Sequence, residues 1–204
     1  MDLEQNFLES VFPERATILQ LPLVDYSLGH ELILRRLNSP FLSEEKQSDE
    51  DLIPHLFSCL FICSLPWKEA MAQSQDKTLP KQFAAWQKKV ARADFHKAIA
   101  ELLIYIRDGS VMPPFKHVQR KGWRSIDAGA PFHLRLLIVL MRDLGMTKDD
   151  AMNCPLGFAH WLYASHYEGQ GSIQLLSETP KAIREALELH GLRRMTVDDF
   201  LPRN

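Results

Sequence analysis

The sequence is poor in the features that mark secreted or membrane-spanning proteins. Its 204 residues include three cysteines, too few and too odd in number for a disulfide-stapled fold, so we expect a reducing, cytoplasmic setting. The first residues are acidic where a secretory signal is basic, which predicts no exported protein. The densest apolar run, residues 136–141, is far shorter than a bilayer span, so no membrane association is predicted.

Motifs for a metal, a nucleotide or a covalent intermediate are also missing. Neither glycine-rich phosphate-loop pattern occurs, and no His-Glu-x-x-His or paired Cys-x-x-Cys spacing is present. Cys59 and Cys63 share a helical face without two further ligands, so buried free thiols are the favoured interpretation. Cys154 precedes a proline and has no marked histidine base. The sequence therefore predicts no cofactor, no metal and no enzymatic activity.

Charge is unevenly distributed along the chain. Residues 1–76 carry 13 acidic and 5 basic side chains, whereas residues 77–124 carry 11 basic and 3 acidic ones. Opposite blocks in one chain either neutralise each other within the fold or present separate faces to separate partners. We favour mutual neutralisation, because charge runs are usually solvated faces.

Apolar spacing is helical through most of the chain. In residues 94–108, for example, the apolar positions recur at steps of three and four, with Asp94 as a cap and Gly109 as a stop. The predicted helices cover residues 27–37, 49–63, 78–92, 94–108, 131–145, 147–154, 156–168 and 179–190. The fold class that follows is all-α, a single compact domain of six to eight helices over residues 1–204.

Residues 131–145 differ from the other predicted helices because leucine, isoleucine, valine and methionine leave almost no polar face. This pattern predicts a central, buried helix with residues 94–108 and 156–168 packed on it. Arg135 and Arg142 lie seven residues apart, on one stripe that must reach solvent or meet acids. Two β-like stretches, residues 17–21 and 172–176, are expected at most to pair as one minor two-stranded element.

Two segments lack a helical period. Residues 38–51 are acidic and polar, which predicts a surface linker. Residues 109–130 form a long loop that interleaves basic and aromatic side chains. Loops of this length are uncommon in compact domains and tend to be functional or disordered.

The basic and aromatic loop has two interpretations. Its side chains can pair phosphates or contact a partner through five candidate residues: Lys116, Arg120, Lys121, Trp123 and Arg124. Alternatively, Phe115 and Trp123 anchor the loop to the core while the cations face water or the acidic N-terminal block. We favour the second interpretation, because long loops need anchors.

Two stretches carry a family resemblance. The first is YSLGHELILRRLNSPF at residues 26–41, and the second runs from MNCPL at residues 152–156 through Trp161 to Glu168-Gly169. Both are similar to segments of small helical proteins of tailed-phage and prophage morphogenesis, the tail assembly chaperones among them. The resemblance implies a non-enzymatic helical protein that holds a hydrophobic helical partner, the tape-measure protein, until the tail tube assembles around it.

Two functional classes remain open at this point. One is a protein-binding assembly factor of the chaperone type, and the other is a nucleic-acid-binding helical module that uses residues 109–124. The two differ in their response to salt, because phosphate binding releases counterions and weakens steeply as salt rises. A complex held by apolar contacts with a helical partner resists salt.

Overall fold

The computed structural model describes residues 3–12, 16–43, 47–73, 79–90, 92–118 and 129–176. Most of these residues are helical, so the predicted all-α class is confirmed. The described helices are α1 (Leu3–Val11), α2 (Leu28–Arg36), α3 (Asp49–Cys63), α4 (Trp67–Gln73), α5 (Leu79–Val90), α6 (Phe95–Gly109), α7 (Phe132–Ile138), α8 (Lys148–Asn153) and α9 (Leu156–Gly169). A short 3-10 helix (Pro40–Leu42) follows α2, and a π-helical segment (Val139–Asp143) continues α7.

Three helices begin at the capping residues that the sequence indicates. Ser27, Asp94 and Thr147 each accept a hydrogen bond from the backbone N–H three residues later. Such a cap satisfies one of the N–H groups that the first helical turn leaves without a partner, and it contributes about 1 kcal/mol. The starts of α2, α6 and α8 are thus fixed by local chemistry.

The four described strands form two separate two-stranded antiparallel sheets. β1 (Thr17–Ile18) pairs antiparallel with β2 (Leu21–Pro22), and β3 (Phe115–His117) pairs antiparallel with β4 (Ile173–Leu175). The two β-like stretches of the sequence therefore contain strands but do not pair with each other. Leu19 and Gln20 adopt positive φ angles of 48° and 64°, which folds the first stretch back on its own neighbour. The indole of Trp86 donates a hydrogen bond of 3.1 Å to the Leu19 carbonyl oxygen and holds this turn.

The predicted apolar face of α6 is confirmed. Its buried side chains include Ala98, Ile99, Leu102 and Ile106, and the helix packs on α3 and α9. α3 contributes buried leucines and both of its cysteines to the same core. The core thus lies between α3, α6 and α9.

The prediction that residues 131–145 form a buried central helix is wrong. α7 and the π-helical segment bury Leu136, Val139 and Leu140, but only on one side, where α8 and α9 cover them. Four large apolar side chains face outward instead: Leu134, Ile138, Met141 and Leu144. A segment that is apolar all round does not itself encode which side faces the core, so tertiary contacts decide.

The two segments predicted as irregular contain some regular structure. In residues 38–51, Phe41 of the 3-10 helix is buried and Asp49 begins α3, whereas residues 44–46 lie outside the described residues. In residues 109–130, Gly109 ends α6 and β3 follows, whereas residues 119–128 lie outside. The predicted helix at residues 179–190 also lies outside the part of the chain that the structure describes.

The chain between β2 and α2 connects distant parts of the molecule by backbone hydrogen bonds. The Val24 N–H donates to the Cys63 carbonyl at 3.0 Å, and the Leu28 N–H donates to the Cys154 carbonyl at 3.2 Å. In return, the Leu156 N–H donates to the Tyr26 carbonyl at 2.8 Å. The start of α2 is therefore joined to the end of α3 and to the start of α9.

Close packing at this junction requires glycine on α2. A Cβ atom at Gly29 would lie 2.5 Å from the Trp67 Cβ and 2.8 Å from the Met152 carbonyl oxygen. Neither neighbour can yield without moving backbone, so we expect Gly29→Ala to lower the free energy of unfolding by about 1 to 3 kcal/mol. Urea unfolding measures this loss.

Gly169→Ala is the matched control, because no atom lies within 4 Å of a Cβ added at that helical position. This variant should be neutral or more stable, since alanine favours a helix over glycine by about 1 kcal/mol. Equal effects of the two substitutions would contradict the close approach of α2 to α4 and α8.

Candidate functional site

Lys116 is the only one of the five candidate loop residues that the structure describes. It is exposed on β3, and Phe115 beside it is half-buried. Arg120, Lys121, Trp123 and Arg124 lie outside the described residues. Phosphate binding by this loop and its anchoring by Trp123 therefore stay predictions.

Ser27 and His30 lie together at the start of α2, in a geometry that superficially suggests a nucleophile and its base. The serine Oγ is 3.0 Å from the histidine Nδ1, but both residues are buried. The Ser27 N–H donates to Nδ1 at 3.1 Å, so Nε2 carries the proton and donates to the Leu65 carbonyl at 2.7 Å. Burial lowers the pKa of His30, which keeps the ring neutral. The pair is a capping box in which histidine replaces the usual glutamate.

Glu31, next along α2, is a buried carboxylate with three partners. The Tyr26 hydroxyl donates to Oε2 at 2.5 Å, and the Arg35 Nε donates to Oε1 at 2.6 Å. The Nε2 of His133, from α7, lies 3.4 Å from Oε1. Burial alone would raise the pKa of Glu31, but the contacts with His133 and Tyr26 and the charge of Arg35 outweigh it and lower the pKa to about 2. This ionised group ties α7 to α2.

His160 of α9 is a second buried polar group. Neither of its ring nitrogens has a hydrogen-bond partner in good geometry among the described residues, although the backbone of Ser110 and Val111 lies close. The ring packs against Phe132, with centroids 5.6 Å apart. Burial lowers the pKa of His160, so the ring is neutral at pH 7 and behaves as part of the apolar core.

The three cysteines are buried thiols, as predicted for Cys59 and Cys63. Burial raises the pKa of Cys154 to about 11 and also raises that of Cys59. A thiol with so high a pKa is protonated at neutral pH, and the thiolate is the reactive form. None of the three has the environment of a nucleophile.

Within the described ranges, no cluster of three or more histidine, cysteine or acidic side chains is placed to hold a metal ion. No helix in those same ranges combines the length and the apolar character that crossing a bilayer requires.

The outward side of α7 and the π-helical segment carries a row of large apolar side chains. We call this row the apolar stripe; its exposed fractions are 47 % for Leu134, 41 % for Ile138, 38 % for Met141 and 39 % for Leu144. The residues follow one another at steps of four, three and three, so they line one side of the helical segment. Single exposed apolar residues are ordinary, whereas a contiguous row of four is a candidate interaction surface.

The π-helical segment contains Met141 of this stripe and ends directly before Leu144. Its defining bond runs from the Leu144 N–H to the Val139 carbonyl at 3.0 Å, five residues back. Such a turn accommodates an extra residue and rotates the side chains that follow, and π-turns inside helices are often found at functional sites. Gly145, with a φ of 70°, then ends the segment.

One border of the apolar stripe is basic and aromatic. We call it the Arg–Tyr edge: Arg135 and Arg142 of the helical segment with Tyr163 and Tyr167 of α9. The two tyrosine rings pack with centroids 4.7 Å apart. Burial raises the pKa of Tyr163, and the charge of Arg135 opposes this rise. Arginine and tyrosine are enriched at the centres of protein interfaces.

Comparisons with protein-family models, with curated proteins and with solved structures gave no match. The function is therefore argued from the residues of this chain. The stripe was missed at the sequence level because its residues had the same apolar character as the core. The one sequence signal that could have found it is the pair Arg135 and Arg142, which mark a side that must face water.

The ionised state of Glu31 predicts a specific pH dependence of stability. Its pKa is about 2 in the fold against an ordinary 4.5, so the charged form stabilises the fold above pH 4.5, and this contribution is lost as the pH falls towards 2. We expect Glu31→Gln to cost about 2 to 3 kcal/mol at pH 7 and progressively less below pH 4.5. Urea unfolding of both proteins across this range measures the difference.

Glu101→Gln is the control, because Glu101 pairs with Lys97 at 3.8 Å on the surface of α6. An exposed pair of this kind contributes at most about 0.5 kcal/mol. A loss for Glu31→Gln that stays constant between pH 7 and pH 2 would show that packing, and not the charge, accounts for it.

Proposed function

We propose that this protein is a non-enzymatic assembly factor that holds an amphipathic helix of a partner protein on its apolar stripe. The observation that carries the proposal is the exposure of Leu134, Ile138, Met141 and Leu144 along one side of a single helical segment. Recognition of a helix by an apolar surface uses side chains at helical spacing on both partners. The side chains of the apolar stripe have this helical spacing.

The dimensions of the stripe fit a short helical contact. Its ends, Leu134 and Leu144, are separated by ten helical steps, which correspond to about 15 Å at 1.5 Å per residue. A partner helix of about three turns matches this length and presents three or four apolar side chains to it. The stripe is rigidly backed, because Leu136 and Leu140 on its inner side are fully buried.

The chemistry of the described polar groups supports a role without catalysis. His30 has both ring nitrogens engaged, Glu31 is enclosed by three partners, and the Cys154 thiol is buried and protonated at neutral pH. A catalytic group must reach a substrate with the right protonation state. Glu31 instead contacts the first turn of α7, where the stripe begins, and His30 completes the capping box of α2.

The specific form of the proposal is a chaperone of phage tail assembly, with a tape-measure-like helical protein as its partner. The two stretches that carry the family resemblance are directly bonded in the structure. Ser27 forms a backbone bridge with Pro155, and hydrogen bonds on both sides of that bridge join residues 26–28 to residues 154–156. Two distant stretches that form one structural unit support a shared fold more than either stretch does alone.

The stripe can be tested by photo-crosslinking in cells that produce the natural partner. With a benzophenone amino acid at position 138, we expect one crosslinked protein, attached through a region with an apolar helical face. Ile138→Glu should lower recovery of the same partner at high salt by at least about tenfold, because it buries a charge against apolar side chains. Mass spectrometry identifies the crosslinked region.

Leu37→Glu is the matched control, since Leu37 is 48 % exposed at the end of α2, on a different element from the stripe. It should retain the partner, and both variants should keep the wild-type melting temperature. Loss of the partner in both variants, or in neither, would refute the stripe as the binding surface. Co-purifying nucleic acid that salt removes, without a protein partner, would favour the nucleic-acid-binding alternative.

A further inference from the structure

The charges at one border of the apolar stripe indicate which charge a partner would carry there. Arg135 directly follows Leu134, and Arg142 directly follows Met141. One residue corresponds to a rotation of about 100° in an α-helix, so both arginines lie at the same border of the stripe, two turns apart. Each guanidinium presents several donors in a fixed planar arrangement.

The acids near this border are already engaged. Asp143 is the only acidic residue in residues 132–144, and its carboxylate accepts hydrogen bonds from Arg142 at 2.7 Å and 3.1 Å. The His166 ring of α9 lies 3.4 Å from the same carboxylate. Arg142 nevertheless remains 75 % exposed, so its outer side is open to a second acceptor.

Arg135 has no acidic partner among the described residues. Its Nε is buried and lacks a hydrogen-bond acceptor in this part of the chain. On α9, its charge acts on Tyr163. An arginine held at a partly buried border without a carboxylate is an incomplete ion pair.

From this arrangement we infer that the partner helix carries two carboxylates, about two turns apart, on the edge that faces Arg135 and Arg142. The inference rests on the proposed function and specifies the partner: an amphipathic helix with one acidic edge. The apolar contact supplies affinity, and the paired charges fix the orientation of the helix and exclude basic competitors. Arginine suits this task because its planar donors bind carboxylates in a bidentate manner.

Two synthetic helical peptides test the inference on the full-length protein. Both carry the same leucine face, and they differ only in having glutamate or lysine at two edge positions seven residues apart. By fluorescence anisotropy at low salt, we expect the glutamate peptide to bind at least about tenfold more tightly. This preference should shrink as salt increases, since the charges are partly exposed.

Variants assign the preference to the two arginines. Arg142→Gln and the double variant Arg135→Gln/Arg142→Gln should reduce the preference for the glutamate peptide, the double variant to less than about twofold. Lys88→Gln is the matched control, because it removes one exposed positive charge on α5 and should leave the preference intact. Arg142 is highly exposed, so the single variant tests the inference even where the double variant is less stable.

The outcomes separate the two proposals. Equal binding of both peptides, lost in Ile138→Glu, would overturn the acidic edge and leave the apolar stripe as a binding surface. Absence of binding by either peptide would count against both proposals. Tighter binding of a single-stranded oligonucleotide than of the glutamate peptide, unaffected by Ile138→Glu, would overturn the acidic helix and point to phosphate as the natural acceptor.

Discussion

The arrangement of the helices depends on the buried carboxylate of Glu31. A charge that is 4 % exposed must be compensated, and its partners come from three places: Tyr26 before α2, Arg35 one turn along α2, and His133 in the first turn of α7. Removal of one partner of such a group leaves buried charge less compensated, which is strongly destabilising. Since His133 is distant in sequence, this contact sets where α7 begins against α2. Together with the packing of α8 and α9, it orients the apolar segment after His133 against the core.

Backbone bonding around the same residues then places α9. Hydrogen bonds from residues 26–28 to residues 154–156 fix the entry of α9 against the start of α2. A Cβ atom at Gly109 would lie 2.6 Å from the Tyr26 Cβ. The end of α6 therefore approaches this junction closely because Gly109 has no side chain. With α9 held there, it covers the inner side of α7 and the π-helical segment. The outer side, with the apolar stripe, is left to solvent or to a partner.

The sequence predicts α6 well because its apolar and polar residues occupy opposite faces, so the pattern itself states which side is buried. It fails for residues 131–145, where apolar residues leave almost no polar face and long-range packing against α8 and α9 decides which side is buried. The sequence does not reveal α1 because its buried residues are the polar Asn6 and Ser10, so its apolar pattern does not mark the side that faces the core. It does not reveal α4 because Pro66, and not a capping serine, threonine or aspartate, precedes this short helix. The pairing of β3 with β4 joins distant residues, which local preference does not encode. Of the candidate site, only the arginines beside the stripe were visible as residues that must face water or acids.

The two arginines also bear on whether two copies of this chain can pair through the exposed apolar row. Exposed rows of this kind favour self-association unless something opposes it. An antiparallel pairing of two copies through the apolar stripe would be isologous. It would bring the Arg–Tyr edge of one copy against the Arg–Tyr edge of the other. Like charges at such a contact are repulsive, whereas a helix with carboxylates on its edge is attracted by the same groups. Arg135 and Arg142 therefore oppose an antiparallel pairing of two copies, and under the proposed function the same two charges select a partner with an acidic edge.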